Sequence, residues 1–180
     1  MMEKTDVMAG TARLVIRRWR ESDTMALYAC ASDGRVSELA LWPCHTSPEM
    51  SLAVIREIFM PNPHTFAIVL KETGEAVGCI GLVPSGCEHH PVAPGEREVG
   101  YWLGYPMWGR GLATEALRAL IPYCRDRLGL ASLLITTDAR NLASQRVALK
   151  CGFRHLDDYT HDNIPSKSYR LPLTQESATF

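Results

Sequence analysis

The sequence predicts a mixed α/β sheet within one domain. Three observations point there. Strand-like and helix-like stretches alternate in the order β-α-α-β-β-β-α-β-α-β-β, which mixes hairpins with crossover helices. The 180 residues suit one domain with a sizeable core. No internal repeat or long linker divides them.

Each element has a local basis. "TARLVIRRW" (11–19) is rich in β-branched and apolar residues and reads as the first strand. Ser22 is placed as an N-cap for a short helix to about Cys30. "LALWPCHTSPEM" (39–50) reads as a loop closing on Ser47 as N-cap, with Pro48 at the first helical position. Leu52, Ile55, Ile58 and Phe59 then recur at helical spacing until Pro61. Two apolar runs around "KETGE" make 64–83 a hairpin, with Gly74 taking the positive φ of its turn. A Pro/Gly-rich loop (84–95) leads to the strand "EREVGYWLG" (96–104). A helix is expected over Thr114–Leu128, ending at Gly129, with Pro122 kinking it or loosening one turn. "ASLLITTD" (131–138) reads as a buried strand, 142–152 as a helix ending at Gly152, and "FRHLDDY" and "KSYRLPL" as closing strands. Residues from about 1 to 10 and 174–180 are expected to fray.

Bulk properties exclude several classes. Hydrophobic residues make up 46 % of the chain, charged residues 22 %, and the formal net charge is −1. Neither nucleic acid nor an anionic membrane is the expected partner of such a balance. No apolar run reaches the roughly 18 residues a span needs, and "MMEKTDVMAG" lacks a signal-peptide layout. Cysteines 30, 44, 79, 87, 124 and 151 form no C-x-x-C pair. That pattern fits reduced thiols in a cytoplasmic protein rather than a disulfide framework or a zinc knuckle.

The stretch "GYWLGYPMWGRGLATEALRAL" (100–120) changes from strand to helix around two glycines and an arginine. Three readings compete for that turn. The glycines could simply make room for a tight connection. Gly104 and Gly109 have P-loop spacing, but Arg110 and Gly111 stand where that motif needs Lys and Ser/Thr. The third reading is a metal-free phosphate cradle, in which amides at a helix N-terminus attract an anion and Arg110 adds charge.

Together with "NLASQRVALKCGF", this stretch resembles the GNAT superfamily of acetyl-CoA-dependent N-acyltransferases, in the branch of ribosomal-protein N-terminal acetyltransferases. The similarity runs from "ARLVIRRW" through "LKETGEAVGCIGL" to "YRL". It implies a mostly antiparallel sheet flanked by helices, forming a single domain over 1–180. The family's cradle pattern, Gln/Arg-x-x-Gly-x-Gly/Ala, falls on Trp108, Gly109, Arg110, Gly111, Leu112 and Ala113, and Trp108 departs from it. The resemblance further implies that the amides of about 109 to Thr114 bind the pyrophosphate of acetyl-CoA. Its pantetheine arm would run beside Tyr101, Trp102 and Leu103, and an N–H near Trp102 or Leu103 would polarise the thioester carbonyl. No metal enters this chemistry.

Acetyl transfer needs a neutral amine, whereas an ordinary amine is protonated at pH 7, with a pKa of roughly 8 to 10. Glu98, on the strand beside the cofactor path, is the first candidate base, and Glu96 shares its parity. Both could instead be solvated edge carboxylates. Many GNAT enzymes place an acidic tyrosine seven residues after the asparagine that opens the last helix; counted from Asn141, that position holds Ala148. Ser144 is the replacement considered, as donor to the thiolate or as a water anchor, although a serine there also serves as a plain cap. Asn141 is assigned to cofactor contact, with helix capping as its other role, and Arg146 either reaches a CoA phosphate or is solvated. "CEHHP" (87–91) carries metal-ligating residue types, but adjacent histidines of a strand point to opposite faces and no second spaced pair follows. Trp42, His45, His64 and His161 lie in or beside loops, where acceptor pockets are often built. Of these, Trp42 and His45 are the acceptor-side candidates.

The sequence reading is therefore direct acetyl transfer from acetyl-CoA to an amine, either a protein N-terminal α-amino group or a small-molecule amine. No cysteine in 98–114 offers a covalent nucleophile. A non-catalytic acyl-CoA-binding module, favoured by Ala148, and a scaffold without CoA binding are the rival classes. A sheet edge or apolar helix face leaves a homodimer open.

Overall fold

The computed structural model describes residues 6–173. Its strands are β1 (Val7–Gly10), β2 (Leu14–Arg18), β3 (Thr65–Leu70), β4 (Ala76–Leu82), β5 (Glu96–Leu103), β6 (Ser132–Asp138), β7 (Arg154–His161) and β8 (Ile164–Pro172). The helices are α1 (Thr24–Ala31), α2 (Gly34–Ala40), α3 (Pro48–Val54), α4 (Leu112–Pro122) and α5 (Leu142–Lys150). The strand order is β1-β2-β3-β4-β5-β6-β8-β7. β5 and β6 run parallel, while β1/β2, β2/β3, β3/β4, β6/β8 and β7/β8 are antiparallel. The expected mixed, mostly antiparallel sheet with flanking helices is therefore present.

The described residues gather into two compact units, and β5 and α4 contribute to both. The first takes in the chain up to Gly81 together with Tyr101–Ala119. Every residue of β3 and β4 is buried, which explains why these strands read as continuous apolar runs rather than alternating ones. Between them Gly74 takes φ +75° in the predicted hairpin turn. The core gathers Trp19, Leu27, Ala31, Ile55 and Val69, with Trp42, Phe59 and Trp102 packed against it. Trp19 and Phe59 lie 5.0 Å apart between ring centres, and Trp42 meets Trp102 edge-on at 5.6 Å.

Two expectations in this unit need correction, and one helix was not foreseen. Residues 7–10 do not fray: they pair with β2 as an outer strand, with Ala9 opposite Ile16 and Gly10 opposite Val15. Residues 1–5 and 174–180 lie outside the described ones. Ser22 does not cap α1, because Glu21–Asp23 form a 3₁₀ turn and the helix starts at Thr24. The buried Asp23 carboxylate accepts two hydrogen bonds from the Arg17 guanidinium, both at 2.8 Å, which holds that turn on β2. Helix α2 escapes the sequence reading altogether. Asp33 caps it by accepting the Arg35 N–H at 3.0 Å, and Leu41 ends it at φ 58°. By contrast, Ser47 and Pro48 open α3 as read, and a wider π turn over Ile55–Phe59 carries the helix to Met60.

The second unit takes in Leu82–Gly100 and the chain from Leu120. Pro122 lacks the N–H that would continue α4, and the chain responds with a π turn over Tyr123–Arg127 before Gly129 at φ 63°. Leu133, Leu134 and Ile135 of β6, Ala148 of α5, Phe153 and Tyr169 are buried. β7, outermost in the strand order, is mostly exposed and carries Asp157 and Asp158, which suits an edge that must resist further pairing.

A Cβ at Gly78 would overlap the Trp102 carbonyl and come within 2.7 Å of a Leu103 methyl, whereas one at Gly34 meets nothing within 4 Å. Gly78→Ala is therefore expected to lower stability by about 2 kcal/mol or more in urea unfolding, and Gly34→Ala by nothing measurable.

Candidate functional site

The turn between β5 and α4 departs sharply from ordinary backbone. Gly104 opens a short 3₁₀ turn over Tyr105–Met107, and Trp108 is extended. Gly109 and Gly111 then adopt φ +71° and +74°, separated by Arg110. Alternating handedness of this kind turns successive N–H groups toward one concave side. The first return bond of α4 runs from the Glu115 N–H to the Gly111 carbonyl at 3.1 Å, so Leu112 and Ala113 have no acceptor within the helix. The side chain of Leu112, 1 % exposed, anchors this helix end. A Cβ on Gly109 would meet open space, so its glycine is required by φ and not by crowding within the protein.

An ion pair absent from the sequence reading holds this turn. Glu115 accepts from the Thr11 hydroxyl at 2.6 Å, the Arg13 N–H at 2.9 Å and the Arg13 Nε at 2.7 Å. The Arg13 guanidinium also donates to the Arg110 carbonyl at 2.9 Å. Because a trans peptide directs its C=O and N–H oppositely, that bond aims the Gly111 amide away from Arg13. A groove of about 480 Å³ runs alongside, lined by Gly10, Thr11, Arg13, Gly111, Thr114 and Arg118 among others. The Trp108 indole donates to the Leu103 carbonyl at 2.8 Å and so tethers the turn to the strand end. Arg110 is exposed.

Just past the end of β5, the Gly104 N–H donates to the Val77 carbonyl at 2.9 Å. The Trp102 carbonyl also faces β4, at Gly78. Backbone groups alternate along a strand, so the Leu103 amide lies on the other edge. Of the two amides considered for polarising a thioester, only that of Leu103 is directed away from β4. Tyr101 and Trp102 are half-buried beside it.

Glu96 and Glu98 point to the same face of β5, and both are buried, at 3 % and 2 % exposure. Their environments differ. Glu96 accepts from Arg170 at 2.6 and 2.9 Å, from Ser132 at 2.7 Å and from the Ala93 N–H at 3.0 Å. Burial works to raise its carboxyl, yet the Arg170, Ala93 and Ser132 hydrogen bonds together hold it below the ordinary value. Glu98 accepts from the His89 N–H and the His89 ring, both at 2.8 Å, and from the Thr136 hydroxyl at 2.6 Å. No Lys or Arg pairs with it among the described residues. Sequence reasoning missed His89 and Thr136 as its partners, because only the return of the 84–95 loop and the parallel strand bring them there.

β6 and β5 share register over Glu96–Glu98 against Ser132–Leu134, while β6 stays paired with β8 as far as Asp138. Asp138, held below its usual pKa by hydrogen bonding from Arg140, shapes the turn into α5. There Asn141 Oδ1 accepts the Ser144 N–H at 3.0 Å, so Asn141 is the helix cap; its NH₂ group takes no part in that bond. Ser144 is partly exposed, Arg146 is exposed, and Ala148 is fully buried in the core. Near Thr136, burial raises the Tyr159 phenol, hydrogen bonding with Thr136 opposes that rise, and the Glu98 charge adds to it.

The acceptor-side candidates separate. Trp42 packs on Trp102, whereas His45 is 6 % exposed and its Nδ1 pairs with the Ser51 hydroxyl at 2.8 Å. Its N–H also donates to the Ala31 carbonyl at 3.0 Å, so His45 braces the loop that carries Trp42. His90 lies against Tyr159, and His161 against His89. All six cysteines are free thiols. Cys30, which abuts Gly104, is pushed up to about 11 by burial and makes a poor nucleophile. Among the described residues no helix is long and apolar enough to cross a membrane.

Comparison with known proteins fits this geometry. The acetyltransferase (GNAT) domain family matches residues 13–154, and the chain belongs to that family. It is 27 % identical to the uncharacterised N-acetyltransferase YoaA of Bacillus subtilis (strain 168), over 85 % of this chain and 88 % of that one. Its fold resembles a Vibrio cholerae protein described as a putative ribosomal-protein-serine acetyltransferase, with TM-score 0.73, 24 % identity and coverage of 96 % and 99 %. It also resembles a spermidine N-acetyltransferase of Vibrio cholerae crystallised with CoA and spermine, with TM-score 0.72, 12 % identity and coverage of 91 % and 97 %. The chain is thus an N-acetyltransferase that takes acetyl-CoA as donor.

Two outcomes follow from this geometry. Arg13→Ala releases the Arg110 carbonyl and should weaken acetyl-CoA binding about fivefold by calorimetry, roughly 1 kcal/mol, with little change in Tm. Glu96 has a folded pKa below its unfolded value of about 4.3. Its stabilisation is therefore complete above that value and disappears as pH falls through the lowered folded pKa. Melting curves between about pH 5 and pH 3 should show a smaller loss of Tm for Glu96→Gln than for the wild type.

Proposed function

We propose that the acceptor is a protein N-terminal α-amino group and that the chain acts as one catalytic domain over 1–180. What supports acetyl transfer is a glycine-built, anion-directed turn in the first unit and, in the second, a buried carboxylate left without a cationic lock. The resemblance of the 96–120 and 141–153 blocks to the ribosomal-protein branch supports the choice of acceptor, as does the Vibrio cholerae fold neighbour.

In this reading Gly109, Arg110, Gly111, Leu112, Ala113 and Thr114 hold the pyrophosphate. Tyr101, Trp102 and Leu103 line the pantetheine arm, and the Leu103 amide polarises the thioester carbonyl, where negative charge develops. The Asn141 NH₂ donates to a pantetheine amide. Glu98 supplies the charge that draws the proton from the amine. Ser144 delivers a proton to the departing thiolate directly or through water, in place of the tyrosine that Ala148 replaces. Trp42 forms the acceptor wall, and His45 supports it. Transfer is direct within a ternary complex, as the raised Cys30 thiol suggests. The six unpaired cysteines suit work in the cytoplasm.

Calorimetry with acetyl-CoA, followed by mass spectrometry of a peptide bearing a free N-terminal serine, tests the proposal. Micromolar binding, its loss in Gly109→Glu and a gain of one acetyl group on the peptide α-amine are expected. Acetylation of spermidine but not of the peptide would move the acceptor to small amines. Binding without transfer to either would favour the non-catalytic module.

A further inference from the structure

His89 lies in the loop before β5 and grips Glu98 twice, through its backbone N–H and its ring Nδ1, each at 2.8 Å. With the Thr136 hydroxyl, three donors fill most of the acceptor sites of a carboxylate that is 2 % exposed. An outside amine could reach those oxygens only by displacing a partner. The His89 side chain is different: 42 % of it is exposed. Because an ionised carboxylate only accepts, the network puts the His89 proton on Nδ1 and leaves a lone pair on Nε2. Nε2 has no hydrogen-bond partner among the described residues.

We propose that His89 is the catalytic base of the acetyl transfer and that Glu98 is its positioning residue. The inference rests on the acetyltransferase reading and relocates the proton acceptor within it. His89 Nε2 takes one proton from the acceptor ammonium, and the freed nitrogen attacks the thioester carbon. The C–N bond forms, the C–S bond breaks, and the second proton shed by nitrogen ends on the CoA sulfur. The imidazolium then releases its proton to water through its exposed edge, so one proton leaves per turnover. Glu98 stabilises the imidazolium in between. Hydrogen bonding from Glu98 raises the His89 pKa, partial burial opposes it, and the Glu98 and Asp162 charges add to the rise. The groups that face the ring are Glu98 on β5, His161 edge-on from β7 at 5.2 Å, and Asp162 in the following turn.

Proton NMR of the six histidines in the protein without acetyl-CoA, with the His89 signal assigned by its loss in His89→Gln, tests the pair. His89 should titrate above the usual value of about 6.5, and Glu98→Gln should bring it down toward that value. An unmoved titration overturns the proposal. The second measurement is the pH profile of kcat/KM with the N-terminal serine peptide, or with spermidine if that is the substrate. His89→Gln should lower kcat about 100-fold, leave the acetyl-CoA affinity unchanged and abolish the histidine limb; Glu98→Gln should shift that limb to lower pH. A wild-type limb surviving in His89→Gln sinks the base role. Failure of the parent reading would show instead as no acetyl-CoA binding heat in the wild type, and the base role would fall with it.

Discussion

β5 carries two carboxylates two residues apart on one face, and both are buried. Burying like charges is costly unless each is separately satisfied, and this demand organises the second compact unit. Glu96 is answered by an arginine reaching from β8, a hydroxyl from β6 and a loop amide. Glu98 is answered by neutral donors and one imidazole. The first arrangement pins a charge against an arginine. The second leaves a charge that can stabilise a proton arriving nearby. Two chemically identical side chains thus acquire different surroundings from what the neighbouring strands and loop present to them.

The cradle follows a similar logic with backbone instead of side chains. Gly109 and Gly111 supply handedness that other residues adopt only under strain. Left alone, such a loop would sample many shapes. Arg13 and Glu115 restrain it from below, Trp108 ties it to the end of β5, and Leu112 sinks the helix start into the core. The amides are thereby oriented in advance of any ligand, which reduces the ordering that binding must accomplish.

Much of the fold was legible because its signals are local. Apolar runs, caps and turn glycines marked β3, β4, α3 and the 109–111 turn. β1 and α2 were not legible. β1 is held by the open edge of β2, which no local pattern reports, and α2 is short, polar and opened by Asp33-Gly34, a pair that reads as a turn. In the site, the individual residues Glu98, Asn141 and Gly109 could be named from motifs. Their partners could not be, since His89 approaches Glu98 from a loop and Arg13 meets Glu115 from the far end of the sequence. The enclosure of Glu96 stayed open for the same reason, since β8 supplies Arg170 from far along the sequence.

Gly78 has a consequence for how the sheet assembles. Slipping β5 past β4 by one residue would turn every side chain to the wrong face, and the hydrophobic pattern forbids it. A slip of two residues preserves both faces, so that pattern is blind to the error. Gly78 detects the fault: only a residue without a side chain fits over the Trp102 carbonyl, and a two-residue slip would set Ala76 or Ile80 there instead. A glycine thereby proofreads the register of the β5 end against β4, from which the 104–111 turn departs.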